Sequence, residues 1–378
     1  MISFQTAKEF LLASWHNRRV AIPPTVFLVG PPGIGKSSVP AAAVKEMGPN
    51  AQLEVLDLTS RSPEDIGGLP FRDGGQTKYS PQEWAVRLSQ PDAIGCLVFD
   101  DLPAATSATA AAVRQVVLDR RLNGVTLSPG VLIVVTGNRR EDQAGAITLP
   151  SHFRNAVCIM ELEPQFDPWA AWFIEQGGDP AIIGFLRWRP NMFSTGPGDA
   201  DTRGRFATPR SWTMLSSCLP AAERARCVSD TVAGYVGEGV AVEFMAYRNM
   251  VMNLPPISDV FANPQAAIPN PKELMGSPDK VIAITTGLSH HAVQLVRAAS
   301  SETPTLSPHR NPASLAVMQQ FFGALSWMVG SDFEHGASAI VAYSALGGSR
   351  DLLEVSAKNT ENPHIASMLQ DIRSAVAS

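Results

Sequence analysis

The chain of 378 residues is long enough for two or three domains with sizeable cores. Its 45% apolar and 17% charged residues describe a globular chain, and a net charge of −5 with a pI near 5.8 gives no global pull toward nucleic acid or anionic membrane. No apolar run reaches bilayer length, and Cys96, Cys158, Cys218 and Cys227 are scattered without metal-ligand spacing, so the sequence predicts a cytoplasmic protein with buried free thiols.

Residues 5–17 read as a helix with Phe10, Leu11, Leu12 and Trp15 on one side, ended by Ile22-Pro23-Pro24. A buried strand, Thr25 to Val29, then runs into Gly30-Pro31-Pro32-Gly33-Ile34-Gly35-Lys36-Ser37, which fits the phosphate-loop pattern G-x-x-x-x-G-K-[ST]. The glycines allow successive N–H groups to turn inward on a phosphate, and the next helix, Ser38 to Met47, adds its positive N-terminal end. Backbone from Gly30 to Ser38 is therefore the expected cradle, Lys36 the residue that reaches the β- and γ-phosphates, and Ser37 a ligand for Mg²⁺. Pro40 fits only in the first turn of that helix.

Leu53 to Leu58 alternates as a second strand. The glycine-rich stretch 61–80 predicts a projecting loop or hairpin, with Phe71 and Tyr79 flanking Asp73-Gly74-Gly75. Gly95 to Asp101 is an apolar strand ending in two carboxylates, which a parallel sheet would deliver to its carboxyl edge, where open α/β sheets hold ligands. Asp100 is expected to hold Mg²⁺ and Asp101 to orient or deprotonate the attacking water. An alanine-rich helix over 104–118 and a short hairpin over 120–127 around Asn123-Gly124 follow. Val131 to Val135 is a further apolar strand, and Asn138 beyond it can hold the lytic water or touch the γ-phosphate. Val157 to Leu162 supplies the fifth strand.

Five strands with intervening helices predict an α/β core with a mainly parallel sheet over residues 1–165. Helical stretches are expected at 167–177, 180–186, 209–218, 229–250, 289–299 and 313–328. The expected division is a helical region over 166–252 and a last region over 253–378, opened by an irregular, proline-rich arm at 253–276. The seven histidines, including His290-His291, make no ligand constellation.

With phosphate loop, paired acids and strand-end asparagine in this order, the chain resembles the AAA+ ATPases, and more closely their MoxR-like branch. The resemblance rests on VFDDLPAA, LDRRLNG, VTGNRREDQAG, LPSHF, FLRWRP and ATPRSW, which cover most of 20–220. It implies an α/β P-loop core followed by a helical lid, binding of ATP and Mg²⁺, ATP hydrolysis and assembly into a ring, for this family a hexamer. It further implies remodelling of a protein client, with a partner containing a von Willebrand factor A-type domain. By motif, Asn138 matches the first sensor, and Arg210 in ATPRSW matches the second, which would place a guanidinium on the β/γ-phosphates.

One departure stands out. The family's arginine finger, inserted into a neighbouring subunit's nucleotide, falls here at Ala156. Either Arg154, Arg139 or Arg140 substitutes, with Arg154 the best placed, or the ring binds nucleotide as a scaffold with little turnover. A nucleic-acid motor is the third alternative, and the acidic pI counts against it.

Overall fold

The computed structural model describes residues 1–139, 151–302 and 312–329. The chain divides into two compact units, Met1–Gln165 and Phe166–Ser378.

The first unit is built on a five-stranded, all-parallel sheet. Helix α1 (Phe4–His16) starts where the Ser3 side chain accepts the Thr6 N–H, and leads to β1 (Val26–Val29) and α2 (Ser38–Met47). Then come β2 (Gln52–Asp57), the short α3 (Pro63–Gly67), the hairpin β3 (Leu69–Asp73) and β4 (Gln76–Ser80), and α4 (Glu83–Leu88). The unit continues with β5 (Gly95–Asp100), α5 (Ser107–Asp119), the small hairpin β6 (Arg121–Leu122) and β7 (Val125–Thr126), and β8 (Val131–Gly137). A single turn, α6 (Ser151–Arg154), precedes β9 (Cys158–Glu161).

The order across the large sheet is β2-β5-β8-β1-β9, and each neighbouring pair is parallel. Parallel strands need crossovers, and here the helices that cross over cover both faces. Strand residues divide by parity. Val26, Leu28, Cys96, Val98, Leu132 and Val134 pack on the side of α1 and α2, while Phe27, Leu97, Phe99, Ile133 and Val135 pack on the side of α4 and α5. That two-sided burial is why β5 and β8 read as continuous apolar runs rather than alternating ones.

The expected hairpin at 61–80 forms, with every residue of β3 and β4 exposed, and α3 ahead of it goes beyond the expectation. Its cap explains the addition: the Asp65 carboxylate accepts the Ser62 backbone N–H at 2.8 Å and the Ser62 hydroxyl at 3.0 Å, with Pro63 at the first helical position. The thiols are all free, but only Cys96 is fully buried, with burial pushing its thiol up to about 12; Cys158, Cys218 and Cys227 are half-buried, which corrects the expectation for those three.

The second unit is helical: α7 (Phe166–Glu175), α8 (Pro180–Trp188), α9 (Pro209–Ala225), α10 (Val228–Val236) and α11 (Glu238–Met252) come first. They are followed by α12 (Ile257–Ala262), α13 (Pro264–Ala267), α14 (Pro271–Met275), α15 (Pro278–Glu302) and α16 (Pro312–Val329). One hydrophobic core runs through it from Ala170 to Leu325, drawing on both the 166–252 and the 253–378 regions.

Three expectations change here. The helix expected over 229–250 is two helices, because Gly237 takes φ +90, where an added Cβ would also meet the Arg205 carbonyl oxygen at 3.0 Å. The stretch 253–276 is not irregular. It folds as α12, α13 and α14, the last two with proline in the first turn, where its missing N–H costs nothing. Helix α15 runs 25 residues rather than 289–299, because Val281, Ile284, Leu288, Ala292 and Val296 carry one buried stripe through the weak helix formers Thr285, Thr286 and Gly287.

Trp212 anchors the second unit's core: it is fully buried, its indole N–H donates to the Met192 carbonyl at 3.0 Å, and its ring meets Phe185 and Phe244. Trp212→Ala is expected to destabilise this unit by about 3–5 kcal/mol. Urea unfolding followed by tryptophan fluorescence measures it, and a loss below about 1 kcal/mol, the scale of a surface change, would show that the ring is dispensable.

Candidate functional site

The loop between β1 and α2 leaves the carboxyl edge of the sheet. Gly33 and Gly35 adopt φ +77 and +95, a region that costs side-chain-bearing residues energy and that glycine enters freely. Those two turns curl the loop around the Lys36 ammonium. Lys36 Nζ donates to the carbonyl oxygens of Gly30 at 2.9 Å and Pro31 at 2.7 Å, and to Asn138 Oδ1 at 2.7 Å. Lys36 is 9% exposed, so its charge is held by these oxygens in the loop.

Next to it, the Ser37 hydroxyl donates to Asp100 Oδ1 at 2.6 Å. Asp100 ends β5 and Ser37 opens α2, so the contact joins the loop to the strand two places away in the sheet. The Thr136 hydroxyl also donates to Asp100 Oδ1, and its oxygen accepts the Asp101 backbone N–H at 3.1 Å. Asp101 stands in the left-handed region, φ 58 and ψ 43, and caps a short 3-10 turn over Leu102–Ala104. Such a conformation costs a non-glycine residue about 1–3 kcal/mol and persists where the surroundings impose it.

The structure therefore brings Lys36 together with Asn138 and the next residue, Ser37, together with Asp100, with Asp101 next in chain to Asp100. Thr136 was not singled out from the sequence. Its signal was there, a hydroxyl residue closing the apolar run Val131 to Val135 two positions before Asn138.

The arginines fall elsewhere. Arg139 follows Asn138 and makes an ion pair with Glu161 at 3.5 Å. Arg140 lies outside the described residues. Arg154 is exposed at the end of α6, four residues before β9, whose first residue, Cys158, pairs with Val26 at the start of β1. Arg154 thus lies on the amino-edge side of the sheet, while the phosphate loop leaves the carboxyl edge. Ala156 is exposed in the turn between them, its N–H donating to the Phe153 carbonyl at 3.0 Å. Arg210 belongs to the second unit, exposed at the second position of α9 beside the Thr208–Ser211 capping box.

The donor set fits a magnesium ion shared with phosphates. Ser37 Oγ and the Asp100 carboxylate, joined through Oδ1 at 2.6 Å, bring hard oxygens to one place, and Mg²⁺ is usually held by one or two such ligands plus phosphate oxygens and water. Among the described residues no group of three or more His, Cys, Asp or Glu side chains could hold a metal by itself. No helix among them is long and apolar enough to cross a membrane.

Fold and site define an α/β protein of the phosphate-loop class, with a five-stranded parallel sheet followed by a helical unit. No protein-family model matches the chain, and no curated protein matches it. Among solved structures it is similar to a proline-to-glycine mutant of Thermotoga maritima RuvB, at 15% identity over 66% of this chain and 71% of that one, with a TM-score of 0.37. It is also similar to the Thermotoga maritima RuvB Holliday junction branch migration motor, at 16% identity over 63% and 67%, with a TM-score of 0.35.

Proposed function

We propose that the chain is an ATP-binding and ATP-hydrolysing AAA+ protein of the MoxR-like kind that works as a ring, of six copies in this reading, to remodel a protein client. The observation that carries the reading is the convergence of Lys36, Ser37, Asp100 and Asn138 at one edge of the sheet through contacts of 2.6–2.7 Å. Backbone N–H groups from Gly30 to Ser38 would cradle the phosphates, and Lys36 would exchange its carbonyl partners for β- and γ-phosphate oxygens. Ser37 and Asp100 would hold Mg²⁺, which when bound neutralises charge on the β- and γ-oxygens. Asp101 would orient or deprotonate the attacking water, and Asn138, released by Lys36, would hold that water or the γ-phosphate.

Arg210 would report the nucleotide state to a lid formed by 166–252. Arg154, on the amino-edge side of its own sheet, is suited to a neighbouring copy's nucleotide rather than its own. The exposed hairpin β3–β4 and the small hairpin β6–β7 would carry the motion to the client, for which a von Willebrand factor A-type domain is the family-based expectation.

ATP turnover per chain, measured against protein concentration with particle size in parallel, tests the reading. A rise as a ring forms is expected. Turnover equal to that of a Lys36→Ala blank at every concentration, with ATP still bound, would instead favour a nucleotide-gated scaffold. Ala156 at the finger position is the observation behind that second reading.

A further inference from the structure

Thr136 sits in the middle of the candidate site without any expected contact to nucleotide. It is 1% exposed, and its hydroxyl makes two bonds to the paired acids, donating to Asp100 Oδ1 and accepting from the Asp101 N–H at 3.1 Å. A hydroxyl has one hydrogen, so with that hydrogen spent on Asp100 the oxygen is free to act as acceptor toward Asp101, and the two bonds fix the rotor. Asp100 Oδ1 then receives two donors, Thr136 and Ser37, the latter at 2.6 Å, and among the described residues Oδ2 is the oxygen left for a cation.

Asp101 needs a restraint of its own. Continued strand geometry would send adjacent side chains to opposite faces, whereas the left-handed backbone at Asp101 breaks that alternation directly after Asp100. Its amide, turned back onto β8, finds Thr136 as acceptor.

We propose that Thr136 is a positioning residue that divides the labour of the two adjacent aspartates, turning Asp100 toward the cation and holding Asp101 in the left-handed turn. This rests on the nucleotide reading above. Outer-shell partners of metal ligands are typically worth roughly 10–100-fold in metal affinity, and Thr136 stands in that relation to Asp100. Valine has the same branched shape and lacks the hydroxyl, while serine keeps the hydroxyl and loses the methyl.

The full-length chain and its Thr136→Val and Thr136→Ser forms are titrated with the β,γ-imido analogue of ATP, once with Mg²⁺ and once with EDTA. Thr136→Val is expected to lose roughly 10–100-fold in the Mg²⁺ arm and nothing in the EDTA arm, with Thr136→Ser close to wild type in both. Equal affinities for wild type and Thr136→Val in both arms would overturn the proposal. So would an equal loss in both arms that serine fails to restore, which is the mark of a purely structural residue. No binding by the wild type in either arm would overturn the nucleotide reading and this proposal with it. Should the valine form not fold, amide hydrogen exchange on the wild type decides: slow exchange at Asp101 is expected, and fast exchange there means that Thr136 does not hold it.

Discussion

Lys36→Ala is expected to cut ATP turnover by roughly 10²–10³-fold or more, the scale of losing one preorganised positive donor at a transition state. The ammonium is buried to 9% exposure and already desolvated by the Gly30 and Pro31 carbonyls and Asn138, so no solvent reorganisation is needed before it meets a phosphate. Stability should fall by about 1–3 kcal/mol, because the Gly30 carbonyl is buried and loses this donor, while Pro31 and Asn138 are half-buried. Turnover, calorimetric ATP binding and thermal unfolding measured side by side separate the two effects. Turnover within threefold of wild type would sink Lys36 as the phosphate-reaching residue.

The opposite sign is expected for Ala156→Arg. An arginine finger supplied in trans is worth about 10³–10⁵ in rate where this chemistry has been measured. Ala156 is exposed in the turn between α6 and β9, so a longer side chain there displaces no core group and leaves the sheet intact. If the finger is missing, turnover at ring-forming concentrations should climb by a large part of that range. If Arg154 already does the work, Ala156→Arg should give no gain and Arg154→Ala should abolish most of the activity. Neither variant should alter ATP affinity in dilute monomer, because both positions lie on the side of the sheet away from the phosphate loop of the same chain. A loss of monomer affinity in either would place these residues in the wrong site.

The chain's local chemistry was legible from its sequence. The glycine loop, the run Gly95 to Asp101 and the strand before Asn138 each announce their element through short-range preferences, namely positive φ at glycine and two-sided burial of apolar strands. The Asn123-Gly124 and Gly74-Gly75 hairpins follow from the same local rules. Helix ends were less legible. The break at Gly237 depends on the close approach of the Arg205 carbonyl, and the continuity of α15 through Thr285, Thr286 and Gly287 on burial of its apolar stripe, which outweighs a propensity of about 1 kcal/mol or less per residue.

The sequence by itself thus determined the elements on which the candidate site residues Lys36, Ser37, Asp100 and Asn138 ride. Which of them touch was decided by strand order. With β8 inserted between β1 and β5, Asn138 lands on Lys36 from 102 residues away, and Thr136 lands on the acid pair from 36 and 35 away. No local preference encodes those distances. They follow from which strands bury each other's edges, a property of the whole sheet.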